Sequence, residues 1–410
     1  MTFPKTLDFI QKHTKTDIRY LMKGSIWLSA NQISGMVLGF LLAVAFANIL
    51  PADVYGNYKF ILSLAAIVGS FSLTGLNLAI TRDVARGIHG LLKVGFRMQL
   101  LWSLGTFFAS ICISIYYFTK DNNALAIAIL IVGVTLPIIS SLRIYIPFLE
   151  GKKDYKKTSI FNIVTTLVYT ITLFIVIHFN TSIPIIIFFY FITQVICSFI
   201  FYKIAAKSDT ETTVTTHKTI SFGKHLSFLN ILSTIAGQMD KLLVYHHLGA
   251  TQLAVYAFSQ VPVGQIRAAL KQATYLAFPK YSEKSMKEIK LSIYRKMFVY
   301  TMVILLVVFS YILIAPYIFK IFFPKYMDAV IYSQIAMLSL LFLQKKLISY
   351  AALAHATKKQ IYTMSISASF FKILLLLIFL PFYGIWGAIA TEIIAQAVGL
   401  MASILLLRRL

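Results

Sequence analysis

Seven ionisable side chains lie inside stretches apolar enough to occupy a bilayer: Arg143, Asp240, Lys241, Arg267, Lys271, Lys372 and Glu392. Each costs of order 2.5 to 3.5 kcal/mol on insertion scales, so residues of this kind usually face an interior cavity and have a task there. Five bases against two acids leave an excess of positive charge. That sign suits an anionic ligand with phosphate oxygens and does not suit organic cations.

Spacing separates the seven. Asp240 and Lys241 are neighbours, so on a helix their side chains point about 100° apart and each must find its partner elsewhere. Gln260, Gly264, Arg267 and Lys271 recur at i, i+4, i+7 and i+11 on one helix face, and Pro262 can bend the backbone just before it. Arg267 offers a planar fork of donors to phosphate oxygens and Lys271 a mobile point charge one turn away. Lys241 and Lys372 are further candidates for the same anion site, and so is Arg143. The plainer alternatives stay open: Arg143, Lys271 and Lys241 can snorkel toward a span end, and Lys372 can pair structurally with Glu392.

For Asp240 and Glu392 the functional reading is coupling to H+ or Na+, and the structural reading is a carboxylate that positions a base. Asn31, Gln32, Asn77, Gln260 and Gln396 are polar positions that can line the same cavity or bond helix to helix. His246 and His247 are adjacent and lack the i, i+4 spacing of a helical metal site, so no metal is expected. No Gly-rich nucleotide loop, catalytic triad or hydrolytic carboxylate pair occurs. No cofactor is expected beyond a coupling ion.

These residues need membrane helices to hold them. The chain is 59% hydrophobic and only 13% charged over 410 residues, with a mean hydropathy of +0.79, whereas a soluble surface requires roughly a quarter charged residues. Apolar runs of about 20 residues predict an all-α polytopic membrane protein rather than a barrel. About twelve spans are expected, from Lys23–Leu50 to Gly384–Leu407. Lys and Arg concentrate in the leader, the even-numbered loops and the C-terminal tail, with Lys59, Lys120, Lys320 and Lys325 assigned to odd loops. The positive-inside rule then puts both termini and the even loops in the cytoplasm. The net charge of +24 is spread over short loops, which answers to insertion and anionic lipid rather than to nucleic acid. The loop 280–296 spaces Met286, Ile289 and Ile293 as an amphipathic surface helix.

An internal repeat organises the spans. "LPADVYGNY" (50–58) and "LGATQLAVY" (248–256) each join the first and second helix of a six-helix set. The expected map is a cytosolic leader 1–22, a first lobe 23–204, a cytosolic linker 205–225 and a second lobe 226–410. The two lobes would be related by a pseudo-two-fold axis along the membrane normal, with a central cavity between them.

The run "LAVAFANILPADVYGNYKFILSLAAIVGSFSLTGLNLAITRDVARG" and the later "GQMDKLLVYHHLGATQLAVYAFSQ" resemble the bacterial polysaccharide-biosynthesis membrane proteins. These are flippases for lipid-linked oligosaccharides, in the superfamily that also holds multidrug-and-toxin extruders and the peptidoglycan lipid flippase. The resemblance implies movement of an undecaprenyl-pyrophosphate oligosaccharide between leaflets of the bacterial inner membrane, beside polysaccharide polymerase machinery, for a surface polymer such as O-antigen or capsule. Two rivals remain, an ion-coupled small-molecule antiporter on the same scaffold and a membrane polymerase or ligase of polysaccharide units. The short odd loops disfavour the second.

Overall fold

A computed structural model describes residues 18–88, 90–209, 217–275, 286–348 and 358–409. The chain is helical throughout these residues. The first lobe holds α1 (Ile18–Ile49), α2 (Ala52–Gly69), α3 (Leu76–Ala85), α4 (Leu91–Trp102), α5 (Leu104–Phe118), α6 (Asn123–Leu142), α7 (Tyr145–Gly151), α8 (Tyr155–Phe179) and α9 (Ile183–Ala206). The second holds α10 (His217–Tyr275), α11 (Met286–Phe322), α12 (Ala329–Met337), α13 (Lys358–Tyr383) and α14 (Ile385–Arg409), with 3-10 turns at Pro324–Tyr326 and Leu338–Phe342.

Eight helical stretches among the described residues are long and apolar enough to cross a membrane. The second, seventh, eighth and tenth expected spans fall outside that set for physical reasons. The second is broken between α2 and α3, where Ser70 and Ser72 turn their hydroxyls back onto the carbonyls of Ile67 and Gly69, each at 2.6 Å. The seventh and eighth carry Asp240, Lys241, Arg267 and Lys271 and run together as α10. The tenth passes from α12 into a 3-10 turn. Local chemistry sets the helix starts: Asn122 and Asp154 accept hydrogen bonds from the amides of Leu125 and Lys157 as N-caps. α10 starts at His217, inside the stretch read as a linker.

Two expectations change. Lys59 belongs to α2 and Lys320 to the last turn of α11 rather than to loops, and Lys59 is half-buried with its ammonium 5.2 Å from the ring centre of Tyr55. Residues 286–296 open α11 instead of forming a separate surface helix, and Ile293 packs with Met297, Leu347, Ile348 and Leu407.

The even loops share one end of the bundle. Asp209 accepts from the amides of Gly90 and Leu92 at 3.0 and 3.3 Å, and the Lys152 ammonium donates to the Ser208 carbonyl at 2.5 Å. At the opposite end the two copies of the sequence repeat meet. Gly56 of the first copy approaches so closely that a Cβ there would lie 1.8 Å from the carbonyl oxygen of Ala250 in the second. Tyr55 stacks on Phe258 at 4.1 Å and Phe60 on Tyr245 at 3.9 Å, and the Tyr245 hydroxyl donates to Asn57 at 2.8 Å. The second seam is closed at the same end: Asn48 donates to the Phe322 carbonyl at 3.0 Å, and Lys325 donates to the Asn48 carbonyl at 2.7 Å. The largest hydrophobic core therefore runs across both lobes and seals the odd-loop end.

Candidate functional site

α10 carries Asp240 and Arg267 on opposite sides of Gly249, whose φ of +87° makes the turn between the seventh and eighth spans. Only glycine adopts that conformation without strain. Backbone dihedrals stay helical through Pro262, so the stripe of Gln260, Gly264, Arg267 and Lys271 rides a regular helix.

The centre of the site is Glu392 on α14. Its Oε1 accepts from Arg267 Nη1 at 3.1 Å and from Gln396 Nε2 at 2.8 Å, and its Oε2 lies 3.0 Å from Lys372 Nζ on α13. Arg267 also donates from Nη2 to Ser339 Oγ at 2.8 Å, at the 3-10 turn of the tenth span. Three helical passages thus meet at one carboxylate, and the tenth span joins them through Arg267. The side chains of Arg267, Lys372 and Glu392 retain 24, 17 and 15% exposure, so the cluster is enclosed yet reachable. A carboxylate held by a guanidinium and an ammonium shows that this place in the fold accepts an anion.

Asp240 and Lys241 diverge as adjacent helical residues must. Asp240 Oδ2 accepts from the Tyr256 hydroxyl at 2.7 Å, while its Oδ1 is buried without a hydrogen-bond partner among the described residues. Asp240 lies within electrostatic reach of Lys372. Lys241 turns to Gln238 Oε1 at 2.7 Å and faces Lys59 of the other lobe.

The structure adds two bases that sequence reasoning passed over. Lys345 and Lys346, half-buried in the tenth span, share the field of Arg267, Lys271, Lys372 and Glu392. The Lys345 ammonium lies against Gly399, where a Cβ would approach it to 2.7 Å. They were not among the candidates, because they lie near the end of the expected tenth span and one sequence does not show which face of that helix meets α14. Tyr256 and Ser339 were missed too, since a hydroxyl in an apolar run carries no pattern. The converging set is therefore Arg267, Lys271, Lys345, Lys346 and Lys372 with Asp240 and Glu392. It is again five bases against two acids, with a different membership.

The remaining candidates are dispersed. Arg143 sits in the first lobe, away from this cluster, where α6 breaks into α7. Asn31 and Gln32 are half-buried on α1, Gln260 is half-buried on α10, and Asn77 is exposed at the start of α3. His246 lies edge-on to Phe60 at 5.8 Å, and His247 contacts the Leu243 carbonyl at 3.0 Å.

A family model described as polysaccharide biosynthesis protein matches residues 21–282. No curated protein sequence matches. Among solved structures, the lipid II flippase MurJ in an inward closed conformation is similar over 93% of this chain and 87% of that one, at 15% identity and a TM-score of 0.71. An outward-facing multidrug resistance MATE family transporter of the MOP superfamily is similar over 94% and 95%, at 16% identity and a TM-score of 0.63. A MOP superfamily transporter from Pyrococcus furiosus, whose binding pocket is described as having reversed polarity, is similar over 94% and 96%, at 15% identity and a TM-score of 0.58. These likenesses are of fold: an all-helical, multi-pass membrane protein of two lobes.

Proposed function

The chain belongs to the polysaccharide biosynthesis protein family, and from that premise we propose that it is a flippase for undecaprenyl-pyrophosphate-linked oligosaccharides. In this reading it acts in the bacterial inner membrane with both termini in the cytoplasm, moves its cargo to the outer leaflet, and supplies a surface-polysaccharide polymerase. The observation that carries the reading is the cationic cluster around Glu392. Five basic side chains share a field with only two carboxylates, and an arginine fork and a lysine already grip an anionic group there. Pyrophosphate offers those donors more oxygens and more charge than Glu392 does. The cargo would displace the carboxylate, with the sugars beside Gln396 and Gln260 and the lipid tail left in the bilayer.

The seal at the odd-loop end matches one half of an alternating-access cycle, with the cluster loaded from the even-loop end. In this reading Asp240, with one oxygen on Tyr256 and the other without a partner among the described residues, would carry a proton or Na+ through the cycle, with Glu392 as the second candidate.

The test is leaflet transfer of a short undecaprenyl-pyrophosphate oligosaccharide in proteoliposomes, with and without a proton or sodium gradient, beside an Arg267→Ala variant. Transfer should need both the protein and Arg267, while the variant keeps its folded, monodisperse behaviour. Near-normal transfer by Arg267→Ala would remove it from the site. Export of cationic dyes with no lipid transfer would transfer the assignment to an antiporter.

A further inference from the structure

The first lobe holds a second polar cluster to which the pyrophosphate reading gives no task. Arg143 caps the C-terminal end of α6 and is half-buried. It lies within electrostatic reach of three tyrosines from three successive helices, Tyr145 of α7, Tyr169 of α8 and Tyr190 of α9. Tyr169 and Tyr190 meet edge-on at 5.4 Å, and Tyr58 of α2 extends the aromatic row at 6.2 Å from Tyr190. Gln194 lies one turn beyond Tyr190, and in the first turns of α8 the Asn162 Oδ1 is buried with no partner among the described residues.

The charge balance differs from that of the other lobe. Arg267 and Lys372 are held by Glu392, whereas no carboxylate of the described residues forms an ion pair with Arg143. Of the first-lobe acids toward the even-loop end, Asp83 is on Arg82, Asp154 caps α8, Asp209 binds the amides at the start of α4, and Glu150, half-buried on α7, forms no ion pair with Arg143. A guanidinium held inside a helical lobe without a countercharge is a standing demand for an anion. Tyrosines add broad rings with polar tips at low entropic cost, which fits a ring with two apolar faces and a hydroxylated edge.

We infer that Arg143, with Tyr169 and Tyr190, forms a subsite for a carboxylate-bearing sugar of the carried glycan, while Tyr145, fully buried against Phe161 and Phe201, backs the guanidinium from the core. The inference rests on the flippase reading and adds a division of labour to it. The second lobe grips the phosphates, and the first lobe reads the sugar through a bidentate carboxylate on Arg143 and ring contacts on the tyrosines. A site built around such a pair rejects the analogue that lacks the charged group, because the guanidinium is then left unpaired.

Titration calorimetry on the purified full chain tests this with three probes: methyl glucuronide, methyl glucoside and inorganic pyrophosphate. The uronide should bind saturably and at least ten-fold more tightly than the glucoside. Arg143→Gln should weaken uronide binding at least ten-fold, Arg143→Lys and Tyr190→Phe should weaken it by less, and Arg267→Ala should leave it unchanged. Equal binding of uronide and glucoside, or uronide binding indifferent to all three first-lobe variants, overturns the subsite. Displacement of the uronide by pyrophosphate through Arg143 also overturns it, since the site would then take the phosphates. Binding does not depend on transport. Arg143-dependent uronide binding by a protein that fails to flip lipid would refute the flippase reading and leave the subsite standing.

Discussion

Replacing Gly56 with alanine puts a methyl carbon where the Ala250 carbonyl oxygen already lies, at 1.8 Å. Contacts under 3.0 Å are essentially never made by a real Cβ, so the two lobes must part locally by at least about 1.2 Å, and backbone opposes backbone with no flexible side chain to absorb the shift. The Tyr55–Phe258 and Phe60–Tyr245 stacks are each worth about 0.5–1.5 kcal/mol beyond area burial, and the Tyr245–Asn57 hydrogen bond about 1 kcal/mol. Losing all three weakens the closed odd-loop end by about 2–4 kcal/mol, roughly 30- to 1,000-fold in the closed-to-open ratio. The reporter is Ala254→Cys, which is fully buried in the seal, in a background lacking Cys112 and Cys197. Modification by an impermeant maleimide from the odd-loop side should accelerate at least ten-fold when Gly56→Ala is added. An unchanged rate, in a folded protein whose thiol reacts fully once denatured, would refute the claim that this glycine contact closes the bundle.

Two further outcomes are expected. Glu392→Gln leaves Arg267 and Lys372 facing each other without their shared carboxylate; breaking a buried pair this way costs about 3–5 kcal/mol, read as a lower unfolding midpoint in detergent, and Glu392→Gln with Lys372→Met should recover most of it. Asp240→Asn keeps the hydrogen bond to Tyr256 and removes the titratable group, so in proteoliposomes the ratio of transfer with a gradient to transfer without it should fall toward one; an intact ratio in this variant and in one also carrying Glu392→Gln would end the coupling assignment.

Much of the fold was legible because a bilayer makes hydropathy a direct record of depth. The expected spans ending at Leu50, Phe118, Phe179 and Phe319 coincide with helix ends to within a few residues. The break at Ser70–Gly75 was hidden, because serines that fold back onto their own carbonyls look apolar enough on a hydropathy scale. Lys59 was misplaced for a related reason: a single charge near a span end reads as a loop unless the aromatic rings that cover it are known. For the site, residue types were legible and pairings were not. Arg267 and Glu392 are 125 positions apart, and nothing in one sequence fixes the relative rotation of two helices. Lys372 against Glu392 could be weighed because both fall near mid-span on consecutive helices. The repeat around Gly56 was visible as duplication, but that the two copies touch each other is a fact of packing.

α10 places the seal and the charge cluster on a single piece of backbone. From Ala250, pressed against Gly56, to Arg267, bound to Glu392, the helix runs 17 residues, about 26 Å at 1.5 Å per residue. A helix of that length behaves as a stiff rod, so displacement at one end arrives at the other with little loss. Its pivot is Gly249, where the chain departs from helical dihedrals. Releasing the first turn from its counterpart in the other lobe therefore pulls on the arginine directly. Conversely, a strong enough grip on that arginine is felt at the far rim of the molecule. The message needs no relay of side chains, because the lever and the latch are the same helix.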